Sequence, residues 1–457
     1  MTRASRRLRI GVWGPLPPSS SGVADYVVES ISPLLERADV HLVAGDRSGV
    51  DPAVRARFDV HSAADAPDAD LDLYHLGNSP DHAFVYRRAL RVPGVVLLHE
   101  WSLHHLVLHE TVERGDLPAY LREMRRAHGE RGTFVGRQVA RALGGDLLPA
   151  LFPLSDRVLE RSLAVVALTE AVTERAARRI PSRPRLHLRH HLSLPLDPLP
   201  SRGGARVALG LPPDALVVTA PGLATATKGL RPAMLALGRL RRDHPAVHLV
   251  VAGGHDPALP LALWAQDAGM ADAWTLTGRL PLPDFVRHLC AADVVLGLRF
   301  PSHGEMSGAL VRALGVGRPV LVTGGTPAAD EFPEGIVVPV APGPREEDEL
   351  EATIGHLLRS PALREAIGGL AREHVRAHHD LQAVSRALLD FLGDVHDRKA
   401  ALVAAVAREE PAGHGLLAYF TEEVRAGARD LGLIGVPLGL DTILAGLAPP
   451  PGQPRTT

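Results

Sequence analysis

The chain has 457 residues, balances 50 Lys and Arg against 52 Asp and Glu, and contains one cysteine, Cys290. That length accommodates two domains of about 100 to 200 residues each. A formal net charge of −2 gives no bulk attraction to nucleic acid, and a single thiol excludes an intramolecular disulfide. No segment approaches the roughly 20 apolar residues of a membrane-spanning helix.

At the N-terminus, Met1 to Arg9 is basic, but the apolar run Ile10-Gly-Val-Trp13 is broken at Pro15, Pro17 and Pro18. It reads as a strand and turn rather than a leader, so the expected location is cytoplasmic. Ser21-Gly22 follows, where glycine lets backbone N–H groups approach a ligand. Asp25 reads equally as a helix cap or as a ligand contact. Further strand candidates in the first half are Val40–Val43, Leu71–Tyr74, Val95–Leu98 and Ala164–Ala167. His99 ends one of these, at the carboxyl edge of a parallel sheet, where α/β proteins bind ligands. His104 and His105 come shortly after and read either as helix-start residues or as site residues. The histidines lack partners at a metal-binding spacing, so no metal is expected. Leu121 to Leu143 carries Arg122, Arg125, Arg126, Arg131, Arg137 and Arg141 beside apolar residues. Such a segment is either a set of solvated helix faces or a surface for an anionic membrane.

Prolines crowd the chain between 192 and 213, which marks an interdomain connection. Strand candidates resume at Leu216–Ala220, Val247–Val251, Trp274–Leu276, Asp293–Leu296 and Val320–Val322. Their alternation with helical patterns predicts an α/β protein of two βαβ-rich domains with parallel sheets. Domains are expected over 1–196 and 205–395, with a helical extension over 396–448 and a disordered tail over 449–457. Cys290 lies among apolar residues and reads as a buried structural thiol.

The densest chemistry lies between Arg299 and Thr323. The loop Ser302-His-Gly-Glu-Met-Ser307 leads into Gly308, and Leu310, Val311 and Leu314 follow at helical spacing until Gly317-Arg-Pro319 stops the helix. The start of that helix would direct free N–H groups and a positive dipole at an anion. Lys228-Gly229, after the first strand of the second half, offers an ammonium that could reach a diphosphate, or a solvated lysine at a helix start.

Gly304-Glu-Met-Ser-Gly308 resembles the donor loop of retaining glycosyltransferases of family 4, in the branch with a Gly-Glu-Thr-Ser-Gly-like signature. Other family-like pieces occur in order: Arg9 to Tyr26, His75-Leu-Gly-Asn78, Val95 to Glu100 with Leu103-His-His105, Tyr120 to Met124 with His128-Gly129, Lys228-Gly229, Leu249 to Gly254, Thr277-Gly278 and Ala291 to Arg299. The resemblance covers nearly all of the first 395 residues.

It implies a GT-B fold, two Rossmann-like domains facing each other across a cleft with extra C-terminal helices. It also implies transfer of a sugar from a nucleotide diphosphate sugar with retention of anomeric configuration. By that resemblance Lys228, Gly229, Arg299, Gly304, Met306, Ser307 and Gly308 bind the donor, and Glu305 and His99 are the catalytic candidates. Ser21, Gly22, Asp25 and His104 face the acceptor or sugar, which is a small molecule, a glycan or a lipid-linked acceptor, with peripheral contact at the inner membrane face in the last case. No tightly bound cofactor or metal is implied.

Two positions depart from the family. Where it commonly has a helix glutamate on the nucleotide ribose, this chain has Arg312, and Leu223 replaces an arginine that usually precedes the phosphate lysine. These losses make a weakened or non-catalytic nucleotide-binding or partner-binding relative the alternative. A nicotinamide-dependent oxidoreductase is disfavoured, because Gly11-Val-Trp-Gly14 does not have the glycine spacing of a dinucleotide fingerprint.

Overall fold

The computed structural model describes residues 7–19 and 21–409. The first domain is built on seven parallel strands, β1 (Arg9–Trp13), β2 (Asp39–Ala44), β3 (Val60–Ser62), β4 (Leu71–Leu76), β5 (Val95–Leu98), β6 (Ala164–Ala167) and β7 (Arg185–His187), in spatial order 3-2-1-4-5-6-7. Every residue of β4, β5 and β6 is buried, as expected for strands covered by helices on both faces.

The second domain repeats the plan with six parallel strands, β8 (Leu216–Pro221), β9 (Val247–Ala252), β10 (Trp274–Leu276), β11 (Val294–Gly297), β12 (Val320–Thr323) and β13 (Val338–Val340), ordered 10-9-8-11-12-13. Its main core joins Leu249, Val251 and Leu296 of the sheet to Met234 and Leu237 of the helix Leu230–Leu240, with Leu350 and Ile354 of the helix Glu346–Arg359. Gly238 lets the first of these helices touch the carbonyl of Ala268, which any Cβ would strike.

All ten anticipated strands are present within a residue or two of their expected ends. The three that sequence reading omits, β3, β7 and β13, are three residues each and lie at or next to sheet edges. They are too short to produce an apolar run. The chain crosses between domains after β7, where Leu192 donates to the carbonyl of His379 (2.7 Å) and bridges to Asp380. The return crossing therefore lies beside the outward one.

The helix Leu381–Asp397, which the expected boundary leaves with the second domain, packs on the first. Ser385 Oγ donates to the Ser30 carbonyl (3.4 Å), and Lys399 Nζ, just beyond, donates to the Asp70 carbonyl (2.7 Å). Its apolar positions Val384, Leu388, Leu392 and Val395 are buried. A helix over Lys399–Glu409 continues the chain. The rest of the expected extension and the tail over 449–457 lie outside the described residues. Among the described residues no helix is long and apolar enough to cross a membrane.

Candidate active site

In the second sheet the strand order reverses between β8 and β11, and ligands of open α/β sheets bind beyond the carboxyl ends at such a point. Both flanking strands deliver cations there. The turn Ala226–Lys228 follows β8, and Gly229 adopts φ +59, which glycine tolerates. Lys228 Nζ donates to the Pro221 carbonyl at 2.5 Å. Burial of its ammonium, then the charge of Arg299, push its pKa well below the usual lysine value, with Glu305 opposing. Arg299 follows β11, anchored by its N–H to Thr323 Oγ1 (2.9 Å).

Glu305 joins the two. One oxygen pairs with Arg299 Nε at 3.2 Å, and the other accepts from the His303 N–H (2.7 Å) and Ser302 Oγ (3.3 Å). It thus closes its own loop while partly neutralising two cations. Asp293, immediately before β11, holds Arg202 and Arg206 elsewhere in the domain. Ser307 caps the helix Gly308–Gly315 by accepting from the Leu310 N–H (3.4 Å), and Met306 is buried beneath the loop. Gly317, at φ +78, follows the end of that helix.

The first domain meets this loop. The His303 carbonyl accepts from the N–H groups of Trp101 (2.7 Å) and Ser102 (3.3 Å), just beyond β5. Gly304, at φ +85, lies so close that a Cβ would be 2.8 Å from Val172 Cγ2 and 3.1 Å from Trp101 Cβ. Burial disfavours the charged form of His303, but Glu100 at 3.7 Å and Glu305 outweigh it and its pKa is raised.

Beside this contact the Tyr26 ring is surrounded by imidazoles, with ring centroids 5.8 Å from His75, 4.9 Å from His99 and His190, and 4.5 Å from His191. His99 Nε2 hydrogen-bonds His75 Nδ1 at 3.0 Å. Burial first, and crowding by other histidines second, hold His99 and His190 well below the usual imidazole pKa and His75 at about 3, so these three imidazoles are neutral. Among the described residues no three His, Cys, Asp or Glu are grouped to hold a metal ion.

Ser21, not Asp25, caps the helix Gly22–Leu34, accepting from the Val23 N–H (3.2 Å). Gly22 faces open space. The Asp25 carboxylate is partly buried, which raises its pKa against the pull of Arg312. His104, expected on the acceptor side, turns into the core instead: Nδ1 meets the Phe152 carbonyl (2.5 Å) and Nε2 the Tyr120 hydroxyl (3.0 Å). Neither nitrogen is free, and burial lowers its pKa to about 4.

Arg312 is explained by a residue that sequence reading missed. It makes a two-oxygen contact with Glu29 on the helix Gly22–Leu34 (2.6 and 2.8 Å) and donates from Nε to the Ser193 carbonyl (3.1 Å). Glu29 also accepts from His191 Nε2 at 3.0 Å. Burial works against the carboxylate, yet His191 and Arg312 hold its pKa below the ordinary value. Two further bridges join the domains. Arg279 donates to the carbonyls of Pro18 and Ser19 (2.7 Å each), and His187 lies between Glu170 (2.9 Å) and Glu331 (3.0 Å). The usable signal was Arg312 itself, an arginine in an apolar helix that needs a carboxylate partner, with Glu29 one turn after Asp25.

A family model described as Glycosyl transferase-like matches residues 232–390. A D-inositol 3-phosphate glycosyltransferase of Saccharomonospora viridis is 32% identical over 204 residues, 42% of this chain and 46% of that protein. The match thus spans about half the length of this relative. HepE of Anabaena, solved in complex with UDP and glucose, superposes with a TM-score of 0.58 at 16% identity, covering 85% of this chain and 100% of that one. Sucrose-phosphate synthase of Thermosynechococcus elongatus gives 0.58 at 16% identity, covering 86% and 100%. Together with the two parallel sheets, this likeness establishes the architecture: the chain has the fold of GT-B glycosyltransferases.

Proposed function

We propose that the chain transfers a sugar from a nucleotide diphosphate sugar, bound at the carboxyl edge of the second sheet, to an acceptor held against the first domain, with retention of anomeric configuration. The observation that carries this reading is the convergence of Lys228 and Arg299 at the strand-order reversal, where Glu305 pairs with Arg299 and opposes both charges only in part. A diphosphate supplies the missing negative charge, and the amides at Ser307 and Gly308 add donors at a helix start.

In the proposed reaction the bond from the anomeric carbon to the diphosphate oxygen breaks, and a bond to the acceptor oxygen forms on the same face. The acceptor proton passes to the departing phosphate. Lys228 and Arg299 stabilise the charge that accumulates on that phosphate. Glu305 is assigned to the sugar hydroxyls and to the positive charge developing at the anomeric carbon. His99, neutral and braced by His75, is assigned a hydrogen bond to the sugar or acceptor. Gly22 and Asp25 line the acceptor side. The contacts of the His303–Gly304 loop with Trp101 and Ser102 exclude water as the domains close. The loss of a helix glutamate at Arg312 is accounted for by its tie to Glu29, so ribose contact falls to other residues.

A lipid-linked acceptor is the reading that uses the exposed side chains Phe134, Leu143, Leu147 and Leu151, near Arg131 and Arg141, as a surface for an anionic membrane. Co-sedimentation with phosphatidylglycerol vesicles that persists in Phe134→Ser/Leu151→Ser removes it.

The deciding experiment is a thermal-shift screen against nucleoside diphosphates and their sugars. Uridine nucleotides come first, since HepE was solved with UDP. A ligand at 100 times its Kd adds about 2.7 kcal/mol. Stabilisation by one nucleotide, lost in Lys228→Ala, supports the reading, and no response to any nucleotide diphosphate overturns it. Because burial depresses the Lys228 pKa, diphosphate binding should also take up a proton, seen as affinity that weakens with rising pH.

A further inference from the structure

At the opposite, amino-terminal edge of the second sheet, where β11 and β12 begin, lies a cavity of about 490 Å³ lined by Ser201, Arg202, Asp293, Arg318, Arg364 and Arg372, among others. Asp293, 2% exposed, is saturated: Oδ2 accepts from Arg206 (2.5 Å) and the Val217 N–H (2.8 Å), while Oδ1 faces Arg202 (3.2 Å) and Arg364 (3.5 Å). Glu365 is the other carboxylate on the lining, against five arginines once Arg206 is included.

Two of these guanidinium groups are left with unused donors. The Arg364 side chain is 6% exposed and its Nε–H has no partner, although Nη1 donates to the carbonyls of Leu357 and Leu358. Arg318 Nε is likewise buried and unpartnered, while its Nη2 donates to the Cys290 carbonyl (2.7 Å). A buried N–H without an acceptor is costly, and more so on a charged group. Burial, and then the neighbouring arginines Arg202 and Arg206, depress the pKa values of both, with Asp293 opposing. Arg372, exposed on the rim, makes no ion pair among the described residues.

We propose that this cavity binds a phosphate-bearing small molecule at a site separate from the nucleotide-sugar cleft. Planar guanidinium forks match phosphoryl oxygens in pairs, and several can share one dianion. The carboxyl end of the helix Gly308–Gly315 abuts the cavity at Val316 and contributes about half a negative charge, which the arginine excess outweighs. A volume of about 490 Å³ falls in the range of small-molecule sites, so the occupant is a phosphorylated metabolite rather than a bare ion.

The test is calorimetric titration of the full chain with glucose 6-phosphate and, separately, inorganic phosphate, at constant ionic strength. Lys228→Ala is included to remove phosphate binding at the donor cleft. Saturable binding that survives Lys228→Ala and weakens about tenfold in Arg372→Ala and Arg318→Ala supports the site. Tighter binding of the sugar phosphate identifies a phosphoester as the occupant; equal or tighter binding of inorganic phosphate overturns that part. No saturable binding in Lys228→Ala, or unchanged affinity in Arg372→Glu, overturns the site altogether. Arg372→Glu lies on the exposed rim and decides the matter should Arg318→Ala fail to fold.

Discussion

Replacing Glu29 with glutamine preserves shape and removes the charge that faces Arg312. The Arg312 and Glu29 side chains are only 10% and 12% exposed, so solvent screens the pair little. At about 4 Å between charge centres and an effective dielectric of about 20, the lost attraction is roughly 4 kcal/mol. Arg312 would keep the Ser193 carbonyl but remain buried without its counter-charge. Breaking one side of a buried pair typically costs about 3 to 5 kcal/mol, so about 3 kcal/mol is expected for Glu29→Gln. Replacing both members, as Glu29→Leu/Arg312→Met, should recover most of that loss. Urea unfolding followed by tryptophan fluorescence and circular dichroism measures each variant, with coincident transitions as the two-state check. A Glu29→Gln loss below about 1 kcal/mol, or a double variant no better than the single, would refute the idea that this pair ties the domains together.

Gly304→Ala places a side chain at φ +85 against Val172 and Trp101, so a loss of about 2 kcal/mol and a steeper loss of donor affinity are expected. Unchanged nucleotide binding would contradict the loop's role. Acid should destabilise the fold as pH falls below about 6.5: buried His75 (about 3), His104 and His379 (about 4 each) stay neutral while their unfolded forms take protons, costing up to about 1.4 kcal/mol per group per pH unit. In the other direction, His187 and His303 have raised pKa values, the first through its hydrogen bond to Glu331 and the second because Glu100 and Glu305 outweigh burial. Their contribution is complete below the unfolded pKa and is lost as pH rises through the folded one. A pH series of unfolding midpoints, with His187→Gln flattening the alkaline limb, checks both limbs. Changing Glu305 to alanine should reduce turnover more than nucleotide binding, and intact transfer by that variant would return Glu305 to a structural role.

The sequence by itself determined the long buried strands, because continuous apolar runs such as Val95–Leu98 and Ala164–Ala167 have few alternatives to a covered parallel sheet. It also determined the loop-helix-strand run from Arg299 to Thr323, since glycine and proline mark its ends locally. Tertiary structure decided everything that depends on two distant residues meeting. Asp25 was a plausible helix cap until backbone geometry gave that role to Ser21, and His104 was a site candidate until Phe152 and Tyr120 occupied its nitrogens. The destination of the helix Leu381–Asp397, the pairing of Arg312 with Glu29 and the arginine cavity at the back of the second sheet share one cause. Each is set by long-range packing, and the energy of a buried charge depends on which partner the fold brings within reach, something that no local spacing encodes.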